Sequence, residues 1–404
     1  MTFPVESKQS NGRSQRKDLV IRVQTSNPAT FFGFLATVAC HRAVLYKRFK
    51  SCGAQLKLTS NNITCQEFGR AHQDAITATN AKIERDEVSD PDFLEACYSL
   101  ISTTTIVGDF EEARLHLKGV QNVVKRVDVP EYARAWLPLA DIKAALGLLD
   151  RPRVPIPWAP TNLGINDIEQ MLPHPSNPLY QMATGFADIP ISAKLRGFLM
   201  EAAILCHMID YNARSTLGLS FEEHNRLRNK CYELEHDLLD YVFDTFPSKE
   251  GENGPSIPVV EQVIRMAVIG ILNTVCVFVL PGCGLGRALT QHQLNAVNRW
   301  FDNEINDVGH VQGHYATLKA VTWALFVFAQ CAEQQLEAQE FRSLLLLMTK
   351  RLWLMSWDEV EATVYKFLYV PSVVRPNWRE TWQYIERWRS QQRETPTEID
   401  GPGR

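Results

Sequence analysis

Histidines and carboxylates at helical spacing are the residues most able to do metal chemistry in this chain. His310 and His314 lie four residues apart, which would place both imidazoles on one helix face, as a zinc site requires. Glycines beside both histidines interrupt that helix, and no glutamate between them could act as a general base. Glu233 and His236 form a Glu-x-x-His pair near His224, but a di-metal bundle needs two such pairs and two further glutamates. We therefore expect no metal and no other cofactor.

One glycine-rich stretch could suggest nucleotide chemistry. Pro281–Arg287 reads PGCGLGR, with glycines at alternate positions after an apolar run. A dinucleotide loop needs GxGxxG between a strand and a helix, which is a different spacing in a different context. The stretch is more typical of a helix end followed by a flexible connection. With no GxSxG elbow and no P-loop, we expect no enzyme.

The cysteines do not form a zinc-binding pattern. No Cys-x-x-Cys pair occurs in the chain, although two thiolates must come from one tight turn to bind a zinc ion together. Most cysteines fall in apolar periodic segments, where a reduced cysteine acts as a small hydrophobic residue. With no secretory leader, this usage favours the interior of the cell. The nine cysteines stand at positions 40, 52, 65, 97, 206, 231, 276, 283 and 331.

The charge balance argues against unaided DNA binding. Hydrophobic residues make up 45% of the 404 residues, a normal globular value, and the net charge is −4. A duplex DNA reader usually carries a basic excess that neutralises phosphates. The one basic cluster is Lys8, Arg13, Arg16 and Lys17, which fits phosphate contact, nuclear import or a solvated tail.

Apolar spacing of three and four residues recurs from residue 29 almost to the C-terminus and predicts helices. Asp109 and two glutamates precede one such stripe, where negative charge suits a helix N-terminus. Alternating strand patterns are nearly absent, so we predict an all-α, irregular multi-helical body of about a dozen helices. An early stripe comprises Phe31, Leu35, Val38, Leu45 and Phe49, and a later one Leu227, Cys231, Leu234, Leu238 and Val242.

Proline-rich loops divide these helices at Arg151–Pro160, Leu172–Pro190 and Phe246–Pro258. They allow two helical units, about 29–150 and 190–390, but proline stiffens a loop, which favours one body with ordered crossings. We predict a polar arm over 1–28, one helical domain over 29–392 and a tail over 393–404. The apolar run Met266–Leu280 is too short to span a membrane, so we expect a buried helix and no membrane contact.

Three segments, in order, match a known family pattern. Phe93–Val127 contains a small-apolar helix, a Gly-Asp turn and a helix with Ala-Arg-x-His-x-x-Gly. Trp136–Trp158 ends in a proline-rich strip with Pro157 and Trp158, and Thr322–Glu333 carries Trp323 and Cys331 in a late helix. The first segment supplies Gly108, Asp109, Ala113, Arg114, His116 and Gly119.

These segments resemble the fungal-specific transcription factor domain, the regulatory region of fungal binuclear zinc-cluster transcription factors, over about residues 29–388. Ala324 and Gln330 depart from the family's proline and glycine, which predicts a less kinked late helix. Trp378 and Trp382 lie where the family places its terminal tryptophan. The zinc cluster that reads DNA in this family is absent from this sequence.

The resemblance implies a transcription regulator in the nucleus, or shuttling with the cytoplasm, controlled by masking, effector binding or partner contact. Without its own zinc cluster the chain would act through a protein partner, as a homodimer or heterodimer, in the setting of a secondary-metabolite pathway. A gene start placed too far downstream is an equally ordinary explanation of the missing cluster. Direct DNA binding by this chain alone is not expected.

Several residues permit both a structural and a functional interpretation. His116 fits a helix-packing edge, and Gly119 fits a close approach of another helix. Trp323, Phe326, Trp378 and Trp382 fit either core filling or a pocket for a small hydrophobic effector.

The alternative function is a recruited small-molecule binder or a motif-less enzyme of secondary metabolism on the same helical body. A deep cavity holding His116, His207 or Asp210 would favour it. An exposed apolar groove would favour a partner-binding regulator.

Overall fold

The computed structural model describes residues 25–52, 55–58, 63–89, 91–125, 131–163, 176–216, 218–247, 255–276, 279–306 and 311–394. The predicted basic cluster at residues 8–17 and His310 lie outside the described residues, as does the side chain of His314.

The first part of the described chain is helical apart from one hairpin. The predicted all-α class is confirmed. The hairpin pairs β1 (Phe49–Cys52) with β2 (Gln55–Leu58) antiparallel. It replaces the predicted continuation of the early stripe to Phe49, because Lys47 adopts φ 53° and ends the preceding helix. The helices are α1 (Pro28–Leu45), α2 (Ile63–Glu84), α3 (Pro91–Val107), α4 (Phe110–Val124) and α5 (Glu131–Leu148).

The remaining described residues contain further helices joined by short turns. Two 3₁₀ turns, Pro178–Gln181 and Thr184–Phe186, cross the proline-rich region before α6. A π-helical turn over Leu272–Cys276 directly continues α8. The helices are α6 (Ala193–Arg214), α7 (Phe221–Thr245), α8 (Val259–Ile271), α9 (Gly284–Asn306), α10 (Val311–Cys331), α11 (Glu337–Arg351), α12 (Trp357–Val364) and α13 (Pro371–Glu394).

One large hydrophobic core draws on residues from Cys40 to Ile385, and a smaller cluster joins α3, α4 and α5. The apolar segment Val259–Cys276 is 83% buried in this core, which fits the predicted buried helix. It and Pro28–Leu45 are the two helices of the described chain long and apolar enough to cross a membrane.

Helix α1 packs with its small residues inward. Ala29, Gly33, Ala36 and Cys40 are buried against α2 and α3. A Cβ on Gly33 would lie 2.8 Å from Cβ of Ser99, so the two helices approach at near-backbone distance. The large apolar stripe predicted from the sequence therefore faces outward, although such a stripe ordinarily faces a core.

Glycines explain how the Gly-Asp turn joins the rest of the protein. Gly108 adopts φ 83°, and a Cβ on Gly284 would lie 2.1 Å from the Gly108 backbone nitrogen. Gly284 begins α9, so the predicted flexible connection after the glycine-rich stretch is wrong. Instead, the backbones of Gly284 and Gly108 lie in direct contact. Gly119 is exposed with no atom within 4 Å of an added Cβ, so the predicted close helix approach at Gly119 is also wrong.

Candidate functional site

A cavity of about 690 Å³ lies where the N-terminal helices meet the C-terminal ones. The end of α1 lines it with Val44 and Leu45, and β2 adds Leu56. Residues of α6, the π-helical turn, the start of α9, the end of α10 and the start of α13 complete the wall. Its volume falls within the usual range of pockets for small molecules.

Most of the wall is apolar, with a few polar atoms at fixed places. Gln335 donates from Nε2 to the carbonyl of Pro281 at 2.6 Å and to Oγ1 of Thr290 at 3.1 Å. Gln335 is only 9% exposed, and its Oε1 is buried without a hydrogen-bond partner. A buried acceptor left unpaired is costly.

The cavity floor includes Cys331 and Thr274. The Cys331 Sγ lies 3.6 Å from Oγ1 of Thr274 and 3.7 Å from the carbonyl of Gly270. Burial raises the pKa of the Cys331 thiol, which keeps it protonated and a poor nucleophile. The family-motif cysteine is thus a small wall residue of the cavity.

A buried ion pair lies directly behind the π-helical turn. Lys143 of α5 donates to both carboxylate oxygens of Glu235 in α7 at 2.6 Å, and to Oδ1 of Asn273 at 3.0 Å. Asn273 donates from Nδ2 to Glu235 at 2.8 Å and to the carbonyl of Ile269 at 2.8 Å. All three side chains are 2% exposed or less.

Asn273 connects this ion pair to the cavity, because it also lines the cavity wall. A π-helical turn widens the helix by one residue and is frequent at functional sites. Here the turn presents Asn273 and Thr274 at the centre of the protein. The sequence signals for this cluster were a lone lysine within the apolar run of α5 and the asparagine that interrupts the apolar run of α8.

The Ala-Arg-x-His motif forms a clamp at the end of α5. Arg114 is 8% exposed, pairs with the carboxylate of Asp150 and donates to the carbonyl of Arg151 at 3.2 Å. Burial opposes ionisation of Asp150, but the hydrogen bonds from Arg114 and the Arg151 backbone outweigh it and lower the pKa of that carboxyl. Asp109 caps α4 by accepting from the Glu112 backbone at 3.1 Å, as its charge predicted, and Ala113 is fully buried.

The proline-rich strip after α5 is held by two carboxylates. Asp141 accepts from the backbone nitrogen of Val154 at 2.8 Å. Glu233 accepts from Nε1 of Trp158 at 2.7 Å and from the Thr161 hydroxyl at 2.6 Å. Pro157 between these contacts is exposed. Trp158 and Glu233 therefore fix the loop, and the hydrogen bonds of Glu233 have a structural role.

The other titratable residues singled out in the sequence do not line the cavity. His116 is partly buried on α4, with Nε2 3.5 Å from the Glu112 carboxylate. Desolvation lowers the pKa of His207, and Asp210 accepts from Nε of Arg214 at 2.6 Å. In the described part of the chain, no group of three or more His, Cys, Asp or Glu side chains could hold a metal ion.

The four aromatic residues considered for an effector pocket are core residues, each 1% exposed or less. Trp323 donates from Nε1 to the carbonyl of Leu368 at 2.8 Å, and Trp378 donates to Oε1 of Gln330 at 2.6 Å. The rings of Phe326 and Trp378 stack at 5.3 Å. None of the four, Trp382 included, lines the cavity, although Gln330 does. All four residues therefore fill the hydrophobic core.

A family model described as "fungal specific transcription factor domain" matches residues 1–143. Residues 1–143 are therefore similar to a fungal-specific transcription factor domain. The match includes the Gly-Asp turn and the motif of α4, and it ends within α5 at Lys143. No curated protein and no solved structure matches the chain.

The fungal-specific transcription factor domain supports a regulatory role in transcription. Proteins of this family are generally nuclear. The family match contributes the α1 wall of the cavity, while the later motifs at Trp158, Trp323 and Cys331 lie beyond it.

Proposed function

We propose that this chain is the regulatory module of a nuclear transcription regulator, acting through a protein partner instead of reading DNA itself. The family match over residues 1–143 carries this proposal. The net charge of −4 supports the view that DNA contact comes from elsewhere.

We propose further that the cavity binds a small effector. The ligand class that fits is a largely apolar, uncharged molecule with few polar groups, because most of the cavity wall is apolar. Lys47, Arg287 and Glu333 also line the cavity and would favour a polar end near them. The setting of a secondary-metabolite pathway remains part of this proposal.

An effector in this cavity would touch both parts of the protein. Val44 and Leu45 come from the family-matched region, whereas Cys331 and Gln335 come from the C-terminal helices. Occupancy would therefore favour the arrangement in which these parts are held together, which is the requirement for a ligand-controlled regulator.

The alternative of a motif-less enzyme has less support. His116, His207 and Asp210 stand outside the cavity wall, and the cavity cysteine is a protonated thiol. An exposed apolar face on α1 instead favours partner binding.

A tethering assay tests the regulatory proposal. The full chain is fused to a heterologous DNA-binding domain and expressed with a reporter that has measurable basal transcription. We expect reporter output to rise or fall several-fold relative to the DNA-binding domain alone. Output equal to that control, with the fusion present in the nucleus at equal abundance, would argue against a regulator.

Ala213→Trp tests the cavity. Ala213 is exposed at the cavity wall on α6, so an indole there would fill the cavity without disturbing the core. We expect the uncharged fluorescent dye N-phenyl-1-naphthylamine to bind the wild-type protein saturably and the variant at least tenfold more weakly. Ala193→Trp, at an exposed position on the same helix, is the control and should bind like wild type. Equal dye affinity in all three proteins would rule out the cavity as the binding site.

A further inference from the structure

Helix α1 exposes an apolar face that is interrupted by Arg42. Its large side chains point away from the protein because its small residues occupy the contact with α2 and α3. Exposed fractions along this face range from 37% for Leu35 to 64% for Leu45. The face, here called the α1 face, comprises Phe31, Phe34, Leu35, Val38, Leu45 and the adjoining Tyr46.

The α1 face has the residue order of a self-complementary helix pair. Phe31, Val38 and Leu45 are spaced by seven residues, so Val38 lies at the midpoint between the other two. A seven-residue apolar repeat is the pattern that two helices pack along one seam. In an antiparallel pair with its twofold axis at Val38, Phe31 of one protomer meets Leu45 of the other, and Val38 meets Val38.

The area of the α1 face reaches the lower limit for a dimer interface. A large aromatic side chain offers about 150–250 Å² when fully exposed. With the exposed fractions of 37% to 64%, the six residues leave roughly 500–600 Å² on each protomer. A symmetric pair would bury at most about 1,000–1,200 Å² in total, which is the lower end of the range for a biological interface.

Charge on the α1 face permits this pairing. Helix α1 contains no aspartate or glutamate. Its arginine, Arg42, already pairs with the carboxylate of Glu67 on α2. Two copies could therefore meet without burying an unpaired charge, which would be the main cost of an ionic interface.

We propose that the α1 face is the interface of an antiparallel homodimer of this chain. The homodimer supplies the protein partner of the function proposed above, and its biological meaning rests on that function. The tests below measure the oligomeric state and do not depend on a reporter. Because Leu45 both ends the seam and lines the cavity, the partner's Phe31 would sit beside the cavity wall.

Cysteine cross-linking of the full chain tests the geometry. Val38→Cys, at the twofold axis, should give a disulfide-linked dimer on oxidation. Phe31→Cys alone should not, because two copies of residue 31 in an antiparallel pair are about 21 Å apart along the helices. The double variant Phe31→Cys/Leu45→Cys should cross-link. Met200→Cys, 57% exposed on α6, and the wild-type protein are the controls and should stay unlinked.

Sedimentation velocity tests the dimer itself. The wild-type protein should sediment as a dimer at micromolar concentration, Val38→Glu as a monomer with unchanged circular dichroism, and Met200→Glu as a dimer. A wild-type protein that stays monomeric at tens of micromolar overturns the proposal. Efficient cross-linking of Phe31→Cys alone also overturns it, because it would indicate a parallel pair of helices. Dimerisation only after deletion of residues 1–24 would assign the face to that segment. Monomeric protein that floats with phosphatidylcholine–phosphatidylserine vesicles, and loses this with Val38→Glu, would assign it to a lipid surface.

Discussion

Replacing Lys143 by methionine should lower the free energy of unfolding by about 3–5 kcal/mol, because it leaves the Glu235 carboxylate buried without its cation. Lys143 and Glu235 are 1% exposed or less, so water cannot take over the lost contacts. Asn273 remains beside the carboxylate and offers only its Nδ2 hydrogen bond. The measurement is urea unfolding followed by circular dichroism.

A double variant separates the loss of pairing from the loss of packing. Lys143→Met/Glu235→Gln removes both charges and keeps an amide partner for Asn273, so it should recover a large part of the loss. Glu235→Gln alone leaves the ammonium buried and should also destabilise. A loss below about 1 kcal/mol for Lys143→Met would mean that the lysine is solvated and the buried pair described here is absent.

Replacing Gly284 by alanine should destabilise the protein by about 2–3 kcal/mol, because the new methyl group meets backbone that cannot rotate away. Its Cβ would lie 2.1 Å from the nitrogen and 2.3 Å from Cα of Gly108. Gly108 itself needs its positive φ to make the turn before α4, so the turn must move as a unit. We expect a lower urea midpoint and faster proteolysis at the turn.

Gly119→Ala is the matched control for this substitution. It makes the same chemical change in the interior of α4, at an exposed position with open space around it. We expect stabilisation by about 0.5–1 kcal/mol, since alanine favours a helix over glycine. If both variants behave alike, steric contact between Gly108 and Gly284 does not hold the turn to α9.

The fold class and the segment around the Gly-Asp turn could be predicted from the sequence because both depend on local pattern. Three- and four-residue apolar spacing requires helices, and Asp109 before two glutamates specifies a helix start. The orientation of α1 could not be predicted in this way. Apolar residues lie on both of its faces, and only the close fit of Gly33 against Ser99 decides that the small face is inside.

The cavity and the ion pair depend on contacts between residues far apart in the chain. Lys143 and Glu235 are 92 residues apart, and Asn273 is 130 residues from Lys143. Periodicity marks Lys143 and Asn273 as polar exceptions in apolar runs, but it does not predict that they meet Glu235. The aromatic density near the C-terminus was equally ambiguous, because Trp323 and Trp378 satisfy their indole nitrogens inside the core.

The central claim is that this chain regulates transcription, and transcript levels in the native host test it most directly. RNA is compared between the wild-type strain, a strain lacking the gene, and that strain complemented with the full chain. The account predicts that a defined set of transcripts changes on deletion and returns on complementation. Unchanged transcripts, together with an altered small-molecule profile, would contradict it and favour the enzyme or binder.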